Sequence, residues 1–421
     1  MLANVVKIAL GIVLIPIYVR HIPPADLGKF DLIMSVIPIL NQLISMGLTN
    51  SIRKFYLQDH DPAYLVYIQK KLIKHTLILS AVLLLGYLIV YPYAHKFIGF
   101  AIFFLAVVML ILENVTIVQN SIYSLHENFK KSSVVAIIKD LIRYTSLILL
   151  VLFMEDKLLA LFLGNLTSWF YLFFQTYKDS RPYLSKPLTL NHEQIEAIRK
   201  YSFPLLFLGL SGFFYMSLDR IMVGTLASAI DQVGYLGIAQ RFTTIIAIGL
   251  GSIGTVLGIR MFKTKDTAEL LTIQNRYVLF LAILVGMTFF VYVFFKTFVI
   301  RYLLTETYVA AYPIGILLLM SLFWNKSREN IEYFYLVKGE TSLITKIFIF
   351  YTLLNLLLNI FFISKYDALG AVIATNIAFF LHMATLFYLA RKERHFLKAT
   401  PFVLGIFLNL FAIYYIFSQP V

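Results

Sequence analysis

The chain has 421 residues, of which 60% are hydrophobic and only 14% charged, and its mean hydropathy is +0.82. A soluble chain carries about a quarter charged residues, so the surplus apolar surface belongs against lipid, and spans that consume nearly the whole length leave no room for a soluble catalytic domain. The net charge of +14 would raise nucleic acid as the partner of a soluble domain; in a membrane chain it reflects the Lys and Arg that gather in cytoplasmic loops, and no nucleic-acid partner is expected.

A spanning helix needs about 20 mainly apolar residues. Runs of that kind fall at 2–19, 30–50, 73–91, 99–121, 132–153, 158–177, 203–223, 233–258, 276–295, 312–336, 341–363, 370–390 and 401–417. They are too long and unbroken for β-barrel strands, which alternate over about ten residues. The expected fold is an all-α integral membrane bundle of twelve spans plus an extra C-terminal hydrophobic helix. The first run starts at Met1-Leu2-Ala3 without a small-residue cleavage site, so it reads as a span rather than a removed signal peptide. With that end cytoplasmic, the inner loops collect Arg53, Lys54, Lys70, Lys71, Lys74, Lys130, Lys131, Lys178, Arg199, Lys200, Arg391 and Lys392, whereas the outer loops keep few bases, such as Arg20, Lys29, Lys96 and Lys157. That asymmetry orients the chain.

The inner stretch 178–200 is the longest and most polar connection, with Pro182, Pro187 and a short helical run from Asn191 to Lys200. It falls where a two-lobed transporter keeps its hinge. The expected division is an N-terminal six-helix lobe at 1–177, a cytoplasmic linker at 178–200, a C-terminal six-helix lobe at 201–390, and a basic loop with the extra helix at 391–421. An internal repeat supports it. Leu27-Gly28-Lys29-Phe30, a span and Ile52-Arg53-Lys54-Phe55 are echoed by Val233-Gly234-Tyr235, a span and Ile259-Arg260-Met261-Phe262. A second echo pairs Asp156 to Asn165 with Asp367 to Asn376. Matching spans are an even number of crossings apart, which makes the repeat parallel, about an axis along the membrane normal.

Ionisable side chains inside spans are costly and mark function. Three pairs neutralise themselves at helical spacing: Lys326 with Glu329, Arg328 with Glu332, and Asp140 with Arg143. Lys139 and Arg143, four apart, place two cations on one stripe with a single acid. Asp219 and Arg220 are adjacent and point apart, and Arg241 has no acid within four positions. Arg220 and Arg241 are therefore the leading candidates for an anionic site, against an alternative in which Arg241 simply bridges to Asp219. Asn41, Gln42, Asn114, Gln119 and Gln240 could meet hydroxyl groups or form ordinary interhelical hydrogen bonds. Asp31, Glu113 and Asp219 are the candidate coupling acids. The glycines of the eighth span (among them Gly249, Gly251 and Gly254) suit close packing or flexing. No cysteine is present, and metal-ligand spacing, a phosphate-cradling loop and a nucleophile elbow are all lacking. No cofactor or metal is expected, and the chain does not read as an enzyme.

The stretch Pro16-Ile17-Tyr18-Val19-Arg20 through Leu27-Gly28-Lys29-Phe30, closed after the second span by Gly47-Leu48 and Arg53-Lys54-Phe55, resembles the opening of polysaccharide-biosynthesis flippases of the Wzx type, within the multidrug, oligosaccharidyl-lipid and polysaccharide exporters. Leu218-Asp219-Arg220, Gly234-Tyr235, Gln240-Arg241 and Ala368-Leu369-Gly370-Ala371 through Asn376 resemble the later spans. The N-terminus departs from the pattern in lacking a basic lead-in. The resemblance implies alternating access, a central cavity, and basic residues facing a polyprenyl-diphosphate oligosaccharide such as an O-antigen, capsule or exopolysaccharide unit. Arg20, Arg53, Arg220 and Arg241 sit at motif positions, where the first two could equally be topology anchors. Lipid-linked oligosaccharide and membrane lipid are the implied partners, with a polysaccharide polymerase and assembly proteins as further candidates, and the inner (plasma) membrane is the implied location. Two other readings compete. A cation-coupled multidrug exporter would need an acidic cargo site, and a polytopic glycan polymerase or glycosyltransferase would need a large loop or a carboxylate-rich face.

Overall fold

A computed structural model describes the chain except residues 1, 96, 265, 339, 394–396 and 419–421, and except the side chains of 2–9, 12, 13, 53, 207–209, 211–217, 252, 255, 256, 258, 259, 262, 263 and 341. The described residues are helical, without a strand. In chain order the elements are α1 (Leu2–His21), α2 (Pro24–Ser45), α3 (Leu48–Asp59), α4 (Ala63–Ala94), α5 (Phe100–Leu125), α6 (Phe129–Phe153), α7 (Lys157–Leu184), α8 (His192–Leu226), α9 (Asp231–Lys263), α10 (Thr267–Phe294), the single turn α11 (Lys296–Phe298), α12 (Ala311–Val337), α13 (Thr341–Lys392) and α14 (Thr400–Ser418). Eight of the described helices are long and apolar enough to cross a membrane. The clusters Lys139-Asp140-Arg143 and Lys326-Arg328-Glu329-Glu332 keep α6 and α12 out of that set. The chain is a multi-pass membrane protein.

The helices gather into two compact units. One holds Leu2–Leu10 and Lys29–Ser217; the other holds Gly11–Gly28 and Leu218–Val421. In the first unit, Met46 and Gly47 take left-handed backbone (φ 46° and 76°) and turn the chain from α2 into α3. Gly47 is needed there twice over, because a Cβ would stand 2.1 Å from the Ser202 carbonyl oxygen of α8. A buried cluster joins Ile52 of α3, Leu65, Ile68 and Leu72 of α4, Val118 and Ile122 of α5, and Ile198 of α8. Farther along α4, Leu77, Ile78, Val82, Leu85, Leu88 and Ile89 are more than half exposed. Such a stripe would be a liability in water and is the expected surface against acyl chains.

In the second unit, α12 is the most enclosed helix, with Phe323, Trp324, Ile331 and Tyr335 at 2% exposure or less. Helix α13 is broken at Asp367 (φ 50°, ψ −133°), and the break separates the two apolar runs at 341–363 and 370–390. The Asp367 carboxylate is held there by the Ser228 backbone N–H (2.6 Å) and hydroxyl (2.9 Å). The repeated glycines meet each other's surroundings. A Cβ on Gly28 would fall 2.3 Å from the Ile230 carbonyl oxygen, and one on Gly234 would fall 2.2 Å from that of Pro24. The first echo of the repeat is thus a pair of helix starts packed backbone to backbone.

Three local features add to the sequence reading. Helix α3 stands where a connecting loop was expected. Between α7 and α8 the non-helical connection is residues 185–191, and the helical run expected from Asn191 continues into α8, set by a reciprocal cap in which the Asn191 side chain accepts from Gln194 N–H and the Gln194 side chain accepts from Asn191 N–H (2.8 and 2.9 Å). The glycines of α9 divide: Gly234 packs against Pro24, while nothing lies within 4 Å of a Cβ built on Gly249 or Gly251. Gly251 and Gly254 instead line a cavity of about 220 Å³ with Tyr277, Lys326 and Glu329.

Candidate functional site

Polar groups concentrate at one place in each unit. In the second unit, three side chains close a ring with Asp219. Asn359 Nδ2 donates to Asp219 Oδ1 (2.7 Å) and to Asn355 Oδ1 (3.2 Å). Asn355 Nδ2 donates to Thr375 Oγ1 (3.2 Å), whose hydroxyl donates to Asp219 Oδ2 (2.7 Å). The ring joins α8 to the parts of α13 on either side of its break. Asn359 is fully buried and its Oδ1 has no hydrogen-bond partner. A carboxylate is therefore held by neutral amide and hydroxyl groups, without a basic side chain in the ring. Among the described residues no three His, Cys, Asp or Glu side chains are placed to hold a metal ion.

One position along α8, Arg220 Nε donates to Gln240 Oε1 of α9 at 2.5 Å. The next residue of α9, Arg241, holds its guanidinium 5.2 Å from the centre of the Tyr18 ring on α1, within cation–π range. Arg220 thus meets an amide from α9 and Arg241 an aromatic face from α1. The acid between them in the alternative reading, Asp219, is bound by Asn359 and Thr375. Arg20 lies elsewhere: it is exposed and donates to the Tyr302 carbonyl (3.4 Å), which ties α1 to the π-helical turn Val299–Leu304.

In the first unit, Asn41 of α2 bonds the Asn114 amide of α5 (2.6 Å) and the Glu113 carboxylate, which also feels the Lys139 charge. The Lys139 ammonium of α6 stands 3.6 Å from the centre of the Trp169 ring on α7. Arg143 pairs with Asp140 (3.2 Å) and lies against the Tyr144 ring (4.6 Å). The predicted cationic stripe is therefore accompanied by an acid and an indole from neighbouring helices. Gln42 is occupied in holding the α8 backbone through the Leu205 and Leu206 carbonyls (3.3 and 3.4 Å), an ordinary interhelical hydrogen bond. Asp31 is 3% exposed. The Arg53 side chain lies outside the described residues.

On α12, the expected pairs form: Lys326 with Glu329 at 2.6 Å and Arg328 with Glu332 at 2.5 Å. His382 of α13, fully buried, stands 3.7 Å from Glu332. Sequence reasoning missed Trp169, Asn355, Asn359 and Thr375. Two asparagines four apart in an apolar span were a usable signal for the ring, and a lone indole in α7 was one for the cation.

The polysaccharide biosynthesis protein family model matches residues 1–265. The chain belongs to that family. A search of curated protein sequences finds no match. Among solved structures, this family member is similar to a lipid II flippase, MurJ, in an inward closed conformation, with a TM-score of 0.77, 14% identity, and coverage of 100% of this chain and 92% of that one. It is also similar to an inward-facing multidrug resistance MATE transporter of the MOP superfamily (TM-score 0.60, 15% identity, 93% and 94% covered). A third is a MOP superfamily transporter from Pyrococcus furiosus described as having a binding pocket of reverse polarity (0.57, 13%, 93% and 94%). At those identities the likeness establishes the transporter fold for this polysaccharide biosynthesis protein.

Proposed function

We propose that the chain is a flippase that carries a polyprenyl-diphosphate-linked oligosaccharide from the cytoplasmic to the outer leaflet of the inner membrane, with its N-terminus cytoplasmic. Transport runs by alternating access of two helical lobes, 1–177 and 201–390. The observation that carries the reading is the Arg220–Gln240–Arg241–Tyr18 group inside the spans of a polysaccharide-family membrane chain. Guanidinium groups match phosphate oxygens as planar forks, and the amide and the ring suit sugar hydroxyls and sugar faces. Lys139 and Arg143, with Trp169 beside them, give the first unit a second basic, aromatic place for the same cargo. Asp219 is the proposed coupling acid: its ring of Asn359, Asn355 and Thr375 binds a proton or monovalent cation whose gradient drives the cycle.

The test is translocation of a fluorescent polyprenyl-diphosphate oligosaccharide by the full chain in proteoliposomes. Wild type should flip it, and Arg220→Ala and Arg241→Ala should each lose at least tenfold in rate while inserting normally. Wild-type rates from a well-inserted Arg241→Ala would refute the site. Export of organic cations without glycan flipping would move the assignment to the multidrug branch.

A further inference from the structure

We propose that the first unit carries a separate binding site for the headgroup of an anionic phospholipid, in a cavity of about 600 Å³ where the α2–α3 turn, α4 and α8 converge. Its lining is amphiphilic. Lys71 of α4 and Arg199 and Lys200 of α8 supply three cations, Glu196 is the one acid, and Tyr67 and Phe203 are among the apolar walls. Glu196 offsets Arg199 only weakly, at 4.0 Å between exposed groups. The cavity therefore keeps a net positive charge.

Two independent observations point to an occupant. The first is Ser202: it lines the cavity, is 1% exposed, and its hydroxyl has no hydrogen-bond partner among the described residues. A buried hydroxyl left unpaired is unfavourable, and a phosphate oxygen would accept from it. The backbone beside it is fixed, since Gly47 packs against the Ser202 carbonyl.

The second observation is depth. On α4 the exposed lysines Lys70 and Lys74 give way within a turn to lipid-facing Leu77 and Ile78, 54% and 53% exposed. On α8, Arg199 and Lys200 give way to Tyr201 and Phe203, the latter 54% exposed. Both helices change from basic to apolar at the cavity mouth, which is the level at which headgroup phosphates lie. A glycerophosphate fits the volume and leaves its acyl chains along the stripe beginning at Leu77. No residue of the Arg220–Arg241 group takes part, so the site is distinct from the proposed cargo site.

The experiment is native mass spectrometry of the delipidated full chain titrated with dioleoyl phosphatidylglycerol and, separately, dioleoyl phosphatidylcholine. Wild type should retain phosphatidylglycerol over phosphatidylcholine. Lys71→Gln, Arg199→Gln and Lys200→Gln together should weaken phosphatidylglycerol binding on the order of a hundredfold, at about fivefold per cation near a bilayer surface. Ser202→Ala should weaken it a few-fold. Lys71→Arg with Lys200→Arg should restore the triple variant's loss, and Lys178→Gln with Lys186→Gln, exposed bases outside the cavity, should leave binding unchanged. Equal retention of the two lipids, an unchanged triple variant, or the same loss in the Lys178/Lys186 control would overturn the proposal. So would displacement of phosphatidylglycerol by a tenfold lower concentration of undecaprenyl diphosphate, which would make the cavity a cargo-docking place.

Discussion

Asp219→Asn separates the charge of the proposed coupling acid from its shape. In the ring, Asp219 accepts from Asn359 at 2.7 Å and from Thr375 at 2.7 Å. An asparagine keeps one acceptor and turns the other position into a donor, so one hydrogen bond to a charged group, worth about 1.5–3 kcal/mol, is lost or weakened. The Thr375 hydroxyl can rotate to accept instead, and removal of a buried charge returns part of the loss. The net change in stability should stay within about 1 kcal/mol, a shift of only a few degrees in Tm. Asp219→Ala leaves both donors without an acceptor at roughly 1–3 kcal/mol each, so it should unfold well below both wild type and Asp219→Asn. In proteoliposomes with an imposed proton or sodium gradient, Asp219→Asn should lose gradient-stimulated flipping. Gradient-stimulated transport at the wild-type rate in a stable Asp219→Asn protein would remove Asp219 from coupling, and equal melting of the Asn and Ala variants would show that the ring holds nothing.

Gly234→Ala places a methyl 2.2 Å from the Pro24 carbonyl oxygen and should destabilise by about 1–3 kcal/mol through overpacking, read by thermal unfolding in detergent; an unchanged Tm would show that the α2 and α9 starts separate freely. Arg328→Met strands Glu332 beside buried His382 and should cost about 3–5 kcal/mol, whereas Arg328→Met with Glu332→Leu should recover most of that loss; a single variant as stable as the double would refute the pairing. Trp169→Leu removes the ring under Lys139 and should lower flipping severalfold with little change in Tm, and the effect should vanish in a Lys139→Gln background if the two residues act together.

The spans were legible because lipid imposes one rule on every one of them: about twenty apolar residues in a row. Helix α3 escaped it because Leu48–Asp59 is short and amphipathic, and its start depends on the left-handed Gly47, which only the approach of Ser202 explains. The self-neutralising pairs Asp140–Arg143, Lys326–Glu329 and Arg328–Glu332 were readable because three- and four-residue spacing fixes neighbours on one helix. Arg220 with Gln240, Lys139 with Trp169 and Asp219 with Asn359 were not, since which faces of different helices meet is set by packing. The echo at Gly28 and Gly234 was visible as sequence, but the packing it serves, two helix starts whose own missing Cβ lets the other's backbone approach, was not.

The ionisable residues inside the spans differ in what their neutralisation depends on. Arg328 and Glu332 lie on the same helix, so their pairing travels with α12, although His382 of α13 stands beside Glu332. Asp219 lies on α8 and is satisfied by α13 on both sides of the break at Asp367. A proton or cation arriving at Asp219 therefore changes the bonds that hold α8 to both arms of α13, and a shift of either arm changes the ion's oxygens. By thermodynamic reciprocity, an ion can bias a conformational equilibrium only through contacts that differ between its states. The interhelical ring meets that requirement more fully than the intrahelical pairs on α12, which is why the coupling role is proposed for Asp219 rather than for the more heavily charged helix.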